Sequence, residues 1–161
     1  MTGAKLEKSV HAATNARART LIRVLDEGLQ AAALAVRATA GAMFLGPDQS
    51  SLRCVAAFGP EARGLLSRGL PLAPDLAKPV LSGDGIRFAA AAMSVDPQFV
   101  AGSKHRSKQA LLVPMRDGST LLGVVQLVNP VSPARFSERD VRVVEGISRA
   151  LATSFIQTSS L

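Results

Sequence analysis

The chain has 161 residues, 47% of them hydrophobic, and 19 Lys and Arg against 12 Asp and Glu give a net charge of +7. This length fits one domain, since domains commonly run to about 100 to 200 residues, and charges interrupt every apolar stretch before the roughly 18 residues of a membrane span. One cysteine and two distant histidines exclude a disulfide framework and a multi-thiolate metal site. The N-terminus has no apolar segment typical of a secretion signal, so we expect a cytoplasmic protein without a membrane partner.

The first part of the chain predicts a helix followed by a β-hairpin. Residues 1–14 have weak periodicity and are interpreted as a tail or a frayed first turn. From Asn15 to about Ala40, apolar residues recur every three or four positions, which places them on one helical face. We expect Gly41 to end this helix. Two apolar runs, 42–45 and 52–58, flank a cluster of turn-forming residues and predict the hairpin.

Residues 59–109 are rich in Gly and Pro and predict only short elements. Asp75–Leu81 indicates a short helix interrupted by a proline, and Ile86–Ala90 a strand entered through a turn. Asp96-Pro97 opens another helical or loop segment. The polar, basic residues 103–108 are expected at the surface.

Two apolar runs after Gln109 give the clearest pattern in the chain. Residues 110–115 and 120–129 flank Asp117-Gly118, which is a strong hairpin signal. Within the second run, residues 121–128 are nearly continuously apolar rather than alternating. We therefore expect this strand to be covered on both faces of its sheet.

A second long helix is predicted to close the chain. Ser137-Glu138-Arg139-Asp140 is an S-x-x-[DE] signal of the kind that starts a helix. Apolar residues then follow at helical spacing, at Val141, Val144, Ile147, Leu151 and Phe155.

This order of elements resembles a single GAF domain. The resemblance covers roughly residues 15–155 and is strongest in four segments, which are Ala110-Leu-Leu-Val-Pro114, Asp117-Gly118, Leu122-Gly-Val-Val-Gln-Leu-Val-Asn129 and Phe136-Ser-Glu-Arg-Asp-Val141. It implies an α/β (α+β) fold, in which the N- and C-terminal helices cover one face of an antiparallel sheet and the middle segments roof a pocket on the other. Residues 1–14 then form a flexible or helical tail, 15–157 the domain and 158–161 a C-terminal tail.

Members of that family bind cyclic nucleotides, tetrapyrroles or other metabolites, sense redox or gas state through haem, or dimerise through their terminal helices. The cyclic-nucleotide pattern of Asn-Lys, Phe and Asp-Glu is matched at Asn129, Phe136 and Asp140. The sequence departs from it at Pro130 and Val141, so the ion pair of that pattern cannot form, which argues against cyclic-nucleotide binding. We expect the three matching residues to maintain the fold.

The cysteine and the histidines argue against other cofactors and against catalysis. A bilin needs a reachable cysteine, whereas Cys54 lies in an apolar run and is expected to be buried. Free methionine sulfoxide reductases of this fold use more than one cysteine. His11 lies in the tail and His105 among basic residues, so neither suggests a haem ligand. The sequence has no nucleophile elbow, no phosphate loop and no catalytic triad pattern, so we expect no enzyme.

Three functions stay open at this point. The first is a sensory module of bacterial-type signalling that receives a small anionic ligand, acts as a homodimer and informs a partner protein. Its candidate pocket residues are Phe88, Asp96, Phe99, Lys104, His105 and Arg106. The alternative interpretation of each is that it belongs to a solvated loop and takes no part in binding.

The second function is a ligand-free dimerisation scaffold whose helices pair across a two-fold axis. Its candidate interface residues are Leu21, Leu25, Leu29, Val144, Ile147 and Leu151. The third, association with nucleic acid, is motivated by net charge alone and is disfavoured because the chain has no Trp or Tyr on which bases could stack.

Overall fold

The computed structural model describes residues 3–48, 50–59, 62–66, 69–70, 74–83, 85–89, 109–131 and 135–160. The helices in these ranges are α1 (Gly3–Val36), α2 (Ala62–Leu65), α3 (Pro74–Ser82) and α4 (Glu138–Ser159). The strands are β1 (Ala38–Leu45), β2 (Arg53–Phe58), β3 (Ile86–Ala89), β4 (Gln109–Asp117) and β5 (Thr120–Pro130). None of the described helices is long and apolar enough to cross a membrane.

The five strands form one antiparallel sheet in the order β2-β1-β5-β4-β3. Both predicted hairpins are confirmed, since β1 pairs with β2 and β4 with β5. Gly118 supplies the left-handed backbone of the second turn, with φ 57°. In the first turn, side-chain hydrogen bonds from Ser50 and backbone and side-chain hydrogen bonds from Ser51 lower the pKa of Asp48. The α+β sheet-and-helix fold expected from the sequence is thus confirmed.

The first helix ends earlier than predicted. It begins at Gly3, so the segment 1–14, expected to be a flexible or helical tail, is helical from Gly3 onward, and it ends at Val36 rather than near Ala40. The prediction that Gly41 ends the helix is wrong, because Arg37 takes the left-handed conformation there, with φ 60°. Gly41 lies in β1, where an added Cβ would come within 2.7 Å of the Phe58 ring.

The helix-facing core lies between the sheet and the helices α1 and α4. Its buried residues come from one stripe of each helix, from odd-numbered positions of β4 and β5, and from single positions in β1, in β2 and just before α4. They are Leu25, Leu29, Ala32, Ala33, Val36, Met43, Ala56, Leu111, Val113, Met115, Val125, Leu127, Phe136, Val141, Val144, Leu151 and Ala152. Two long amphipathic helices therefore cover one face of the sheet, as their periodicity requires.

The stripes predicted to pair two subunits are used inside one chain. Leu25, Leu29, Val144 and Leu151 are buried in the helix-facing core, and Leu21 and Ile147 pack against it. The expectation of an intersubunit bundle is corrected for the four buried side chains, because the sheet and the opposite helix of the same chain already cover them. For Leu21 and Ile147, which are partly exposed, it stays a prediction. Dimerisation through other residues stays a prediction.

The opposite-face core covers the other side of the same sheet. It contains Ala42, Phe44, Leu52, Cys54, Leu65, Val80, Ala110, Leu112, Val124 and Val128. Val80 belongs to α3 and Leu65 to α2, so short helices of the middle segment pack on this face. The prediction that the strand at 121–128 is covered on both faces is confirmed, since successive residues of β5 enter the two cores in turn.

Candidate functional site

The opposite face is the part of the fold where the buried centre of the sheet meets the short helices α2 and α3. Its floor is the centre of the sheet, with β5 between β1 and β4. Part of its cover is α3, a nine-residue helix with Pro79 inside it. Because a proline cannot donate the helical hydrogen bond, α3 is a weaker element than the floor on which it lies.

One polar side chain, that of Gln126, enters this apolar floor. Gln126 is 2% exposed, and its Oε1 atom has no hydrogen-bond partner within the described part of the chain. Its register partners are Ala42 on β1 and Leu112 on β4, and both belong to the opposite-face core. Val124 and Val128, two positions away on β5, share that face. The buried amide is therefore surrounded by apolar side chains.

Two hydrogen bonds fasten the cover to the rest of the domain. The guanidinium of Arg116, on β4, donates to the carbonyl of Leu81 near the end of α3. The backbone N–H of Gly85, just before β3, donates to Oε1 of Glu145 on α4 at 3.3 Å. The connection from α3 to β3 is thus tied both to the sheet and to the C-terminal helix.

Cys54 also lies on this face, and its environment makes it a weak nucleophile. Its side chain is buried, and its Sγ donates to the carbonyl of Ala56 at 3.3 Å. Burial raises the pKa of the thiol to about 11. Since the thiolate is the reactive species, the raised pKa disfavours reaction of Cys54 near neutral pH. The burial of its side chain agrees with the prediction from its apolar sequence context.

The position of these elements can be compared with known proteins. A family model described as GAF domain matches residues 21–155. The chain belongs to the GAF domain family. The matched range lies inside the predicted domain at 15–157. No curated protein matches the sequence.

Solved structures with low sequence identity share this GAF fold. The GAF domain/HD domain protein from Geobacter sulfurreducens has 12% identity and a TM-score of 0.69, over 88% of this chain and 95% of that one. The second GAF domain of DevS from Mycobacterium smegmatis has 17% identity and a TM-score of 0.65, over 87% and 96%. A type II free methionine-R-sulfoxide reductase from Thermoplasma acidophilum has 14% identity and a TM-score of 0.62, over 84% and 92%. These similarities show the fold alone.

The GAF motif residues that the structure describes have structural roles. The hydroxyl of Ser137 accepts from the Asp140 N–H at 3.1 Å, and the Asp140 carboxylate accepts from the Ser137 N–H at 2.7 Å. The predicted helix start is therefore a capping box. Phe136 is buried, and its N–H donates to the side-chain oxygen of Gln109. Asn129 lies on β5, and its side chain is outside the described residues.

Most of the predicted pocket residues lie outside the described residues. These are Asp96, Phe99, Lys104, His105 and Arg106. The backbone of Phe88 is described and lies opposite Ala110 on β4. Ala110 in turn pairs with Val128 on β5, and both of these residues belong to the opposite-face core.

The sequence reasoning missed two buried polar residues, Gln126 and Ser148. Ser148 is 2% exposed on α4, and its Oγ has no partner among the described residues. For Gln126 a signal was present, because it is the one amide in the apolar run 121–128. The interpretation of that run as nearly continuously apolar did not single out the glutamine. The described ranges contain no group of three or more His, Cys, Asp or Glu that could hold a metal ion.

Proposed function

We propose that this GAF domain is a non-enzymatic sensory module of bacterial-type signalling that binds a small ligand on its opposite face. The observation that carries the proposal is the buried, unpartnered Oε1 of Gln126 on that face. Ligand sites in proteins are mostly apolar concavities with a few directed polar groups. The opposite-face core, with one amide in its floor, has this composition.

A conformational change on the opposite face could be transmitted to the terminal helices, where a partner protein could bind. Movement of α3 or β3 changes the position of Gly85, whose N–H is bonded to Glu145. Glu145 belongs to α4, which packs against α1 on the far side of the sheet. A ligand that binds one arrangement of the cover more tightly shifts the population of that arrangement. The terminal helices would carry the change to a partner protein.

The non-enzymatic part of the proposal is supported by the chemistry of Cys54. A neighbour of the same fold is a methionine-R-sulfoxide reductase, and this chain has one cysteine in total. The raised pKa of that thiol disfavours the thiolate that a redox or nucleophilic reaction needs. Cyclic-nucleotide binding is disfavoured for a related reason, since Val141 stands where the nucleotide pattern has Glu and packs into the helix-facing core. Bilin and haem remain disfavoured on the sequence.

Native mass spectrometry of the protein purified from its own cells tests the sensory function. We expect a discrete additional mass that is released on unfolding and that rebinds to the refolded chain. The absence of any additional mass, together with no binding from a metabolite extract of the same cells, would remove the ligand from the proposal.

As a separate step, we propose that the ligand carries an anionic group, because Lys104, His105 and Arg106 form a basic sequence after Phe99. If Lys104 and Arg106 receive an anionic group, the double variant Lys104→Ala with Arg106→Ala should bind the co-purified ligand at least tenfold more weakly. The variant Arg17→Ala with Arg19→Ala, on the exposed part of α1, is a charge-matched control. Equal affinity of both variants and the wild type would show that the segment is a solvated loop.

A second candidate function is self-association without a ligand, and the free surface of α1 favours it. Residues 12–20 of this helix are all exposed, and farther along Ile22 and Leu34 are 50% and 82% exposed. Isolated helical turns are marginal in water, so a helix that extends beyond its own domain is stabilised by a partner. A homodimer through α1 would use this surface rather than the buried stripe.

Light scattering at high micromolar protein concentration distinguishes a monomer from a dimer. We expect a dimer for the wild type and a folded monomer for Ile22→Glu combined with Leu34→Glu. The exposed substitution Arg142→Glu on α4 serves as a control, because it leaves the α1 surface unchanged. A wild-type monomer at that concentration would contradict self-association.

A further inference from the structure

We infer that Gln126 is the specificity-determining residue of the opposite face and that it accepts a hydrogen bond from an N–H or O–H group on a neutral, largely apolar part of the ligand. This inference rests on the proposed ligand-binding function and names the chemistry of the part of the ligand that meets the floor of the site. It is independent of the proposal that Lys104 and Arg106 receive an anionic group.

The placement of Gln126 directs its amide away from the solvent. It lies on the central strand, with β1 on one side and β4 on the other, and its row across the sheet runs from Ala42 through Gln126 to Leu112 and Ile86. Val124 and Val128 flank it along the strand. The Gln126 side chain is 2% exposed.

A buried amide oxygen without a partner is costly, because the water that solvated it in the unfolded chain is not replaced. Apolar residues occupy the surrounding positions, so Leu or Met would fill this place without that cost. A glutamine at this buried position is therefore less favourable for folding than Leu or Met would be. A donor from a ligand removes the cost, and this couples occupancy of the face to stability of the domain.

The surroundings of Gln126 also restrict the ligand. Among the described residues, the buried polar or charged side chains are those of Gln126 and Ser148 alone, so no buried cation on this floor compensates a negative group. An anionic group buried on this floor would lose its hydration, and the described residues provide no buried cation there to compensate. A neutral group with one hydrogen-bond donor fits the floor, and the part of the ligand around that group is apolar because its neighbours are.

Matched small aromatic probes test this chemistry directly. The pairs are indole with 1-methylindole and phenol with anisole, in which one member has a donor and the other has a methyl group in its place. We expect indole and phenol to bind at least tenfold more tightly than their methylated partners, since a site built around a hydrogen bond rejects a ligand that lacks it. NMR spectra of the ¹⁵N-labelled glutamine side-chain amides, recorded as each probe is added, report binding at Gln126 itself. Benzoate is the charged probe, and we expect it to bind more weakly than phenol.

Two variants on β5 distinguish the effect of the amide group from the effect of a change in packing. Gln126→Met keeps nearly the same volume and removes the polar group, so we expect it to melt at or above the wild-type temperature and to lose the preference for donor probes. Leu127→Met makes a volume-conserving change on the helix-facing side of β5 and should keep that preference. Because the probe pairs are compared first on the wild-type protein, the test does not depend on the folding of either variant.

Each outcome decides between the two proposals. Equal binding of both members of each pair leaves a ligand site in place and overturns the role of Gln126, as does an unchanged preference in Gln126→Met. No binding of any probe also overturns it. The sensory function itself fails only if the protein from its own cells carries no ligand and takes up none from the extract.

Discussion

The backbone N–H of Gly85 and the Oε1 atom of Glu145 lie 3.3 Å apart and join the start of β3 to the middle of α4. The two residues are separated by 60 positions in the chain. A Cβ at Gly85 would lie 2.8 Å from Cγ2 of Val113 and 3.1 Å from Cγ1 of Val141. Glycine therefore permits the close approach that brings the N–H to the carboxylate.

Replacement of Glu145 should loosen this connection. We expect Glu145→Ala to lower the free energy of unfolding by about 1 to 2 kcal/mol, because the partly buried N–H loses a charged acceptor. Glu145→Gln keeps an acceptor and should lose less than half as much. Urea unfolding measures both, and hydrogen exchange of the Gly85 amide reports the local effect. If the Gly85 amide exchanges at the same rate in Glu145→Ala as in the wild type, the hydrogen bond has no influence on the strand.

Close packing of α1 on α4 depends on Gly28. An added Cβ would lie 2.8 Å from Cδ1 and 2.9 Å from Cγ of Leu151, which is buried. We expect Gly28→Ala to destabilise the domain by about 1 to 3 kcal/mol through overpacking. Gly146→Ala on α4 is the matched control, because its nearest atom is the side-chain end of Arg149 at 4.0 Å.

That control should raise stability by up to about 1 kcal/mol, since alanine is the better helix former where space permits. Thermal and urea unfolding of the two variants give the comparison. Equal effects of the two substitutions would mean that the helices do not approach as closely at Gly28 as the structure indicates.

The capping box at Ser137 should contribute to stability without contributing to binding. We expect Ser137→Ala to cost about 1 kcal/mol, because the Asp140 N–H loses its acceptor at the helix N-terminus. Ser159→Ala, an exposed position at the other end of α4, should cost almost nothing. Asp140→Ala should likewise lower stability and leave affinity for the co-purified ligand unchanged. A loss of affinity at equal stability would give Asp140 a binding role instead.

Burial of Cys54 predicts a loss of stability at alkaline pH. Its folded pKa of about 11 lies above the ordinary value of 9.0 for a cysteine thiol, so the unfolded chain releases the thiol proton first as pH rises. The contribution is complete below pH 9 and is lost between pH 9 and 11. Wild type should thus lose more stability over this interval than Cys54→Ala.

Urea unfolding at a series of pH values gives the difference between the two proteins. Thiol-specific labelling at pH 8 is a second measurement, since the native thiol should react far more slowly than the unfolded one. Rapid labelling of the native protein would show that the thiol is accessible and ionised.

Arg37 predicts a stabilising substitution. Its φ of 60° is unfavourable for a side chain with a Cβ, and glycine adopts it freely. We expect Arg37→Gly to raise the free energy of unfolding by up to about 1 kcal/mol. Arg23→Gly, at an exposed position inside α1, should lower it by about 1 kcal/mol. If both substitutions destabilise equally, the left-handed end of α1 is not where the structure places it.

Arg37 also shows why the end of the first helix was predicted at the wrong residue. Local preference favours glycine at the left-handed position, and the next glycine in the sequence is Gly41. The structure stops the helix four residues earlier because the carbonyl of Arg37 accepts from the Val131 N–H at 2.8 Å. A contact between residues 94 positions apart thus outweighs the local preference, and no periodicity in the sequence contains it.

The buried stripes illustrate a different limit. Helical spacing predicted correctly that Leu25, Leu29, Val144 and Leu151 need a covered face. It could not tell whether a sheet of the same chain or a second subunit covers them, because either surface satisfies the same pattern. The residues Ile22 and Leu34, which the structure leaves exposed, did not stand out from the buried ones in the sequence.

The sequence by itself determined the order of the elements, the two hairpins, the capped last helix, the doubly covered β5 and the family. These features depend on local rules, in which periodicity, turn residues and capping residues act over a few positions. Tertiary structure alone decided where α1 ends, which of the described side chains stay exposed and that one amide, Gln126, is buried with no hydrogen-bond partner for its Oε1 among the described residues. Burial and hydrogen-bond partners of a side chain depend on strands and helices that are distant in the chain, so only the assembled sheet defines them.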